Sequence, residues 1–145
     1  MNIGGVRHIA IADYRTVTTD VTGNVLKSIS GNFQKLDAVD DSIDIKSQNV
    51  VAGAGEYYKY SISLRIAKVE EAKYSVVDHL KRVVLLWLDE NGVSWIVGFD
   101  YPLLISVSPS FGKSASQLNH FNIKFVGNSV NRPLQSPLTF YQIIN

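Results

Sequence analysis

The stretch Val83-Val84-Leu85-Leu86-Trp87-Leu88, followed by Asp89-Glu90-Asn91-Gly92 and then by Val93-Ser94-Trp95-Ile96-Val97-Gly98-Phe99, decides the fold. Two apolar runs rich in aliphatic and aromatic residues flank an Asn-Gly pair. That pair supplies the positive φ angles of a type I′ turn, whose twist matches that of paired strands. The reading is a β-hairpin. With Asn91 and Gly92 as the turn, Trp87 is expected opposite Ile96 and Leu88 opposite Trp95, so that each face carries one tryptophan among aliphatic neighbours. Both faces are apolar, and a strand pair of that kind needs a cover on each side. A chain this short ordinarily provides one packed layer, which leaves the second to another sheet, a helix or a neighbouring subunit. Leu86, Leu88, Trp95 and Val97, or the residues of the opposite face, are therefore candidate subunit-interface residues.

Upstream of the hairpin, Tyr58, Tyr60, Ile62, Leu64 and Ile66 take every second position, with Lys59, Ser61, Ser63, Arg65 and Ala67 between them. This period of two marks a long strand with one buried face. Val69, Ala72, Val76, Val77, Leu80 and Val83 then recur at three-to-four spacing, which predicts one short amphipathic helix over residues 69–82. Acidic residues early in that segment and basic ones late in it suit the helix dipole. Nearer the amino terminus, residues 6–12 alternate around Ile9 and Ile11 as a half-buried strand. A second hairpin is expected around Gly23-Asn24, between residues 16–22 and 25–30. Residues 31–56 are polar, acidic and Gly-rich, and read as a long loop with a brief strand at Ile43 and Ile45; loops of this length tend to be functional or to order against a partner. After Pro102, residues 103–108 form a candidate strand, residues 109–119 a Ser-rich loop, and Phe121, Ile123 and Phe125 a further half-buried strand. The apolar tail, residues 138–144, is expected to dock as a last strand. The fold class is mainly β, a β-sandwich or barrel-like set of antiparallel sheets with one flanking helix, in a single domain over residues 1–145.

At 145 residues the chain buries roughly two thirds of the surface its unfolded form exposes, enough for a real core without staples. With no cysteine, disulfides, thiolate metal sites and cysteine nucleophiles are excluded. The 14 basic and 13 acidic residues nearly cancel, which argues against nucleic acid as a direct partner and against sequence-specific binding to it. A hydrophobic share of 46% against 19% charged residues lies at the apolar end for a soluble domain, so some surface is expected to be covered by partners. No apolar run reaches membrane-spanning length and no cleavable leader is evident; the expectation is a soluble protein made in the cytoplasm, with no membrane partner.

Candidate chemistry is sparse. His8, His79 and His120 are scattered without metal-site spacing. Asp37, Asp40, Asp41 and Asp44 lack the alternate-position pattern and closing Glu of a calcium loop, and read as a solvated loop. Gly53-Ala54-Gly55 precedes a strand, the wrong context for a phosphate cradle. No serine sits in a nucleophile elbow. No catalytic residue, metal ligand or cofactor is assigned, and the chain reads as a non-enzyme. Tyr57, Tyr58 and Tyr60 with Trp87 and Trp95 offer an alternative function, a carbohydrate- or small-ligand-binding module with a flat aromatic platform, although Tyr57 and Tyr58 point to opposite faces of their strand.

The long alternating strand, the short amphipathic helix, the aromatic hairpin with its Asp-Glu-Asn-Gly tip and the later Phe121-x-Ile123-x-Phe125 strand together resemble structural proteins of tailed bacteriophages. The resemblance is to tail-tube and related ring-forming proteins, and it spans residues 57–127. It implies a small β-sandwich with a flanking helix that self-assembles into a ring, commonly hexameric, or a tube, beside other virion structural proteins. It also implies that residues 31–56 form the loop that reaches a neighbouring subunit or ring. Asp37, Asp40, Asp41 and Asp44 are then candidate inter-subunit or channel residues, facing a passage through which DNA slides without sticking.

Overall fold

Alternating β-branched and aromatic residues put most of the chain into antiparallel strands. A computed structural model describes residues 5–23, 25–36, 38, 42–53, 55–67, 80–110, 120–138 and 140–144. The strands are β1 (Val6–Asp13), β2 (Thr18–Thr22), β3 (Val25–Ser30), β4 (Gln34–Leu36), β5 (Asp44–Ala52), β6 (Gly55–Ala67), β7 (Arg82–Asp89), β8 (Ser94–Val97), β9 (Leu103–Ser110), β10 (His120–Ser129) and β11 (Leu134–Gln135); a single helical turn, α1 (Phe140–Ile143), follows them. The expected mainly β, antiparallel class holds. The helix expected over residues 69–82 falls almost wholly outside the described residues; at its end Leu80 and Lys81 are irregular and Arg82 already opens β7.

One sheet runs β11-β8-β7-β9-β10-β6-β5. On its other side β7 pairs with β1 along Val83 to Asp89, and β1 pairs in turn with β4. A bridge between Ala38 and Ile66 then brings the β1–β4 side back to β6, so the sheet curls into a barrel. The barrel is filled from every side, by Ile9 and Ile11 of β1, Tyr60, Ile62 and Leu64 of β6, Val83, Leu85 and Trp87 of β7, and Phe121, Ile123 and Phe125 of β10. Outside it, a second layer forms over β1, β7 and β8. There the β2–β3 hairpin contributes Leu26 and Ile29, and Phe33, Leu134, Phe140 and Ile143 complete a cluster against Ala10, Ala12, Val84, Leu86, Leu88 and Ile96. Burial of both faces explains why β1, expected to be half-buried, is buried at four consecutive positions from Ile9 to Ala12. It also explains the tail: with Phe140 and Ile143 three residues apart, one helical turn sets both side chains into the outer cluster, so α1 replaces the expected strand.

The β7–β8 hairpin forms with a different register from the expected one. Trp87 faces Trp95, Leu86 faces Ile96 and Leu88 faces Ser94. The reason lies in the Asp89 side chain. Its Oδ1 accepts hydrogen bonds from the Asn91 and Val93 backbone N–H groups, both at 2.9 Å, and its Oδ2 accepts one from Trp95 Nε1 at 3.0 Å. Gly92 N donates to Asp89 O at 3.2 Å and Asp89 N donates to Val93 O at 3.0 Å, so the loop holds three residues, with Gly92 at φ +83°. One added loop residue moves the partner strand by one, and both tryptophans come to the barrel side.

Past β8 the chain leaves the edge of β7 at Gly98, whose φ is +85° and where an added Cβ would meet Val83 O at 3.0 Å. This bend lets β9 take over pairing with Arg82 and Val83. The described part of residues 31–56 is not a loop: it holds β4 and the nine-residue β5.

Burial alone would raise the Asp89 pKa, yet the hydrogen bonds from Val93, Trp95 and Asn91 and the nearby Arg7 charge outweigh it and hold the carboxyl below its ordinary value. A depressed carboxyl contributes stability that is present above its unfolded pKa and lost as pH falls through the folded one. Asp89→Asn is expected to lower stability by about 1–2 kcal/mol at neutral pH, with the gap to the parent narrowing as pH falls below the ordinary carboxylate range in urea melts.

Candidate functional site

The four candidate interface residues lie inside the chain. Leu86 and Val97 are 0% and 1% exposed, Leu88 is buried beside them, and Trp95 is half-buried with its indole N–H held by Asp89. Leu86 and Leu88 sit in the outer cluster, Val97 and Trp95 against the barrel core. The second cover that the doubly apolar hairpin requires is thus supplied in cis by β2–β3, the segment around Phe33 and α1. These four side chains are not a docking surface.

Two members of the aromatic platform are withdrawn from the surface. Trp87 and Tyr60 are buried in the barrel, and Tyr58 is half-buried against it. Tyr60 OH donates to Asn131 O at 2.6 Å. Burial, together with the Asp100 charge, drives its phenol pKa far above the ordinary value, so it serves as a fixed hydrogen-bond donor. Asp100 organises the same end of the barrel: its Oδ2 accepts from Ser129 Oγ at 2.6 Å and Asn131 Nδ2 at 2.8 Å, and its backbone O accepts from Tyr14 OH at 3.2 Å. This network ties the turn after β10 to the bend after β8.

Of the acidic candidates, Asp37, Asp40 and Asp41 lie outside the described residues. Asp44 opens β5, exposed, with its Oδ2 3.6 Å from Lys46 Nζ. His79 also lies outside the described residues; His8 stacks on Phe140 with ring centroids 5.8 Å apart, and His120 begins β10. Among the described residues no three His, Asp or Glu side chains converge, and no helix is long and apolar enough to cross a membrane.

Three surface features remain. The first is β5 itself. It pairs with β6 on one side and, among the described residues, has no strand on the other, whereas β11, at the opposite end of the sheet, has two residues. Ser47, Gln48 and Asn49 are exposed, as is Val51 at 80%. The second is a cleft of about 680 Å³ lined by Asp13, Tyr14, Arg15, Lys81, Arg82 and Leu104. Within it Arg15 is ion-paired to Asp13 at 3.1 Å. The third is the outward face of β9, β10, β6 and β5, which adjoins that cleft at Leu104. Neither the edge nor the face was singled out from the sequence, although the Lys59-x-Ser61-x-Ser63-x-Arg65 half of the β6 alternation already carried the face's polar character.

If the hairpin is enclosed within one chain, cutting into it must cost the monomer. Leu86→Ala is expected to lower unfolding free energy by about 2–5 kcal/mol in denaturant melts, with sedimentation showing the parent's association state at equal folded concentration. Set against known proteins, the chain matches no family model, no curated protein and no solved structure.

Proposed function

We propose that this chain is a non-enzymatic structural subunit that assembles with copies of itself into a ring or tube, in the manner of tail-tube, neck or collar proteins of tailed bacteriophages, with its place in the virion. The observation that supports this reading is the outer edge of β5, which has no partner strand among the described residues. An edge strand presents a row of backbone N–H and C=O groups to any chain that aligns with it, and folded proteins ordinarily blunt such edges with lysines, prolines, bulges or brevity. From Ser47 to Ala52 this edge carries no charge, no proline and no break in its pairing with β6. It is long, regular and open, which suits strand addition.

A second free edge makes a ring geometrically natural. β2 forms a two-strand sheet with β3 alone and has no strand on its outer side among the described residues. Pairing β5 of one copy with β2 of the next is a head-to-tail contact, and head-to-tail contacts close into rings when the rotation between copies allows. In this reading the tryptophan hairpin builds the subunit and the strand edges join subunits.

Sedimentation over a micromolar-to-millimolar series with negative-stain electron microscopy tests the proposal. Concentration-dependent oligomers and visible rings or tubes are expected. Gln48→Lys combined with Val51→Lys, which puts charge on the edge without touching the core, is expected to weaken association by at least about tenfold. A strict monomer throughout the series, or association that this variant leaves unchanged, overturns the assignment to β5.

A further inference from the structure

We infer that the outward face of β9, β10, β6 and β5 binds the phosphate backbone of duplex nucleic acid without regard to sequence. Along β6 the inward positions are Tyr60, Ile62, Leu64 and Ile66; the positions between them point away from the barrel. Register then defines the outward lattice. Lys124 lies opposite Ser63, and Ser63 opposite Asp44; Lys46 lies opposite Ser61, Lys59 opposite both Asn128 and Gln48, and Arg65 opposite Asn122. Arg82 of β7 joins beside Leu104.

Among the described residues, five cations, Lys46, Lys59, Arg65, Arg82 and Lys124, therefore share this face with one acid, Asp44, in a chain whose net charge is only +1. All five are exposed. Lys46 is engaged by Asp44; the other four have no acidic partner among the described residues. No two of the cations stand directly opposite each other. Lys46 with Lys59, and Lys124 with Arg65, are diagonal neighbours about 7–8 Å apart, close enough to act together and far enough apart for each to take its own phosphate. The cleft adds Lys81 next to Arg82.

The neutral residues of the face narrow the class of ligand. Ser63, Ser106, Ser108, Asn122 and Asn128 are exposed hydroxyls and amides, which with Lys and Arg are the side chains that contact phosphate and sugar. A protein-docking surface needs an apolar centre, and among the described residues of this face only Leu104 and Val126 are large, apolar and exposed. A single-strand channel needs aromatic rings for stacking, and the one tyrosine at these outward positions, Tyr57, is half-buried at the corner. A polar, cationic sheet face suits the outside of a duplex.

The test is fluorescence anisotropy of a labelled mixed-sequence DNA duplex titrated with the whole chain at several salt concentrations. Binding is expected at low salt, with the logarithm of the association constant falling about 3–4 units per tenfold rise in salt, as displacement of counterions by four free cations requires. Lys59→Glu with Lys124→Glu is expected to weaken binding at least tenfold and to reduce that slope by about 2, with an unchanged far-UV spectrum. Should the reversal variant misfold, Lys59→Gln with Lys124→Gln is expected to lower both quantities in the same direction. No binding at low salt, binding indifferent to these substitutions, or displacement of the duplex by polyglutamate at equal charge concentration overturns the inference. Gln48→Lys with Val51→Lys adds positive charge at this end of the sheet. It is expected to preserve duplex binding while weakening self-association, so this inference and the assembly reading fail separately.

Discussion

Every other feature of the molecule follows from β7 being buried on both sides by its own chain. Six consecutive residues, Val83 to Leu88, are withdrawn from water, and each fully buried aliphatic side chain among them contributes about 1.5–3 kcal/mol. The odd positions complete the barrel interior, and the even ones need an outer layer that a barrel alone does not have. The β2–β3 hairpin, Phe33 and α1 supply that layer. Their positions are dictated by the strand they cover: β2–β3 pairs with no strand of the main sheet and is held chiefly by side-chain packing. The molecule is thus a barrel with one thickened wall, and its thin wall, β9, β10, β6 and β5, faces water.

How far the sequence foretold this differs from element to element, for physical reasons. β6 and β10 are half-buried, so their hydrophobic alternation is complete and visible. β7 is equally visible as a doubly apolar strand, but whether its second cover comes from the same chain depends on contacts with residues such as Leu26 and Phe140, far away in sequence, and no local pattern encodes those contacts. The turn departs from its expected register because Asn-Gly outweighs its neighbours in any local rule. Asp89 reaches forward to two backbone amides and to Trp95 Nε1, and so selects a longer loop. β5 was nearly silent: an edge strand with both faces largely in water has no need of apolar residues, and its polar stretch from Ser47 to Asn49 resembles a loop. The tail was misjudged because Phe140 and Ile143 fit a helical turn once a hydrophobic wall is present to receive them.

The surface features have the same origin. A nearly neutral total charge hid a segregation that only strand register exposes: Lys46, Lys59, Arg65 and Lys124 are scattered over the chain, and two antiparallel pairings gather them on one face. In the proposed assembly, the contact likewise moves from the greasy hairpin to the backbone of β5. An interface made of strand edges depends less on side-chain identity than one made of a hydrophobic patch. β5 belongs both to the open edge and to the cationic face.

The claim on which the account stands is that one copy encloses both faces of β7, and amide hydrogen exchange measured across a dilution series tests it most directly. The account predicts that the amides of β7 and β1 exchange slowest of all, at the rate of global unfolding, and equally slowly at every protein concentration. Protection of β7 that fades on dilution, while the rest of the barrel stays protected, would mean that a second copy supplies the cover, and would contradict it.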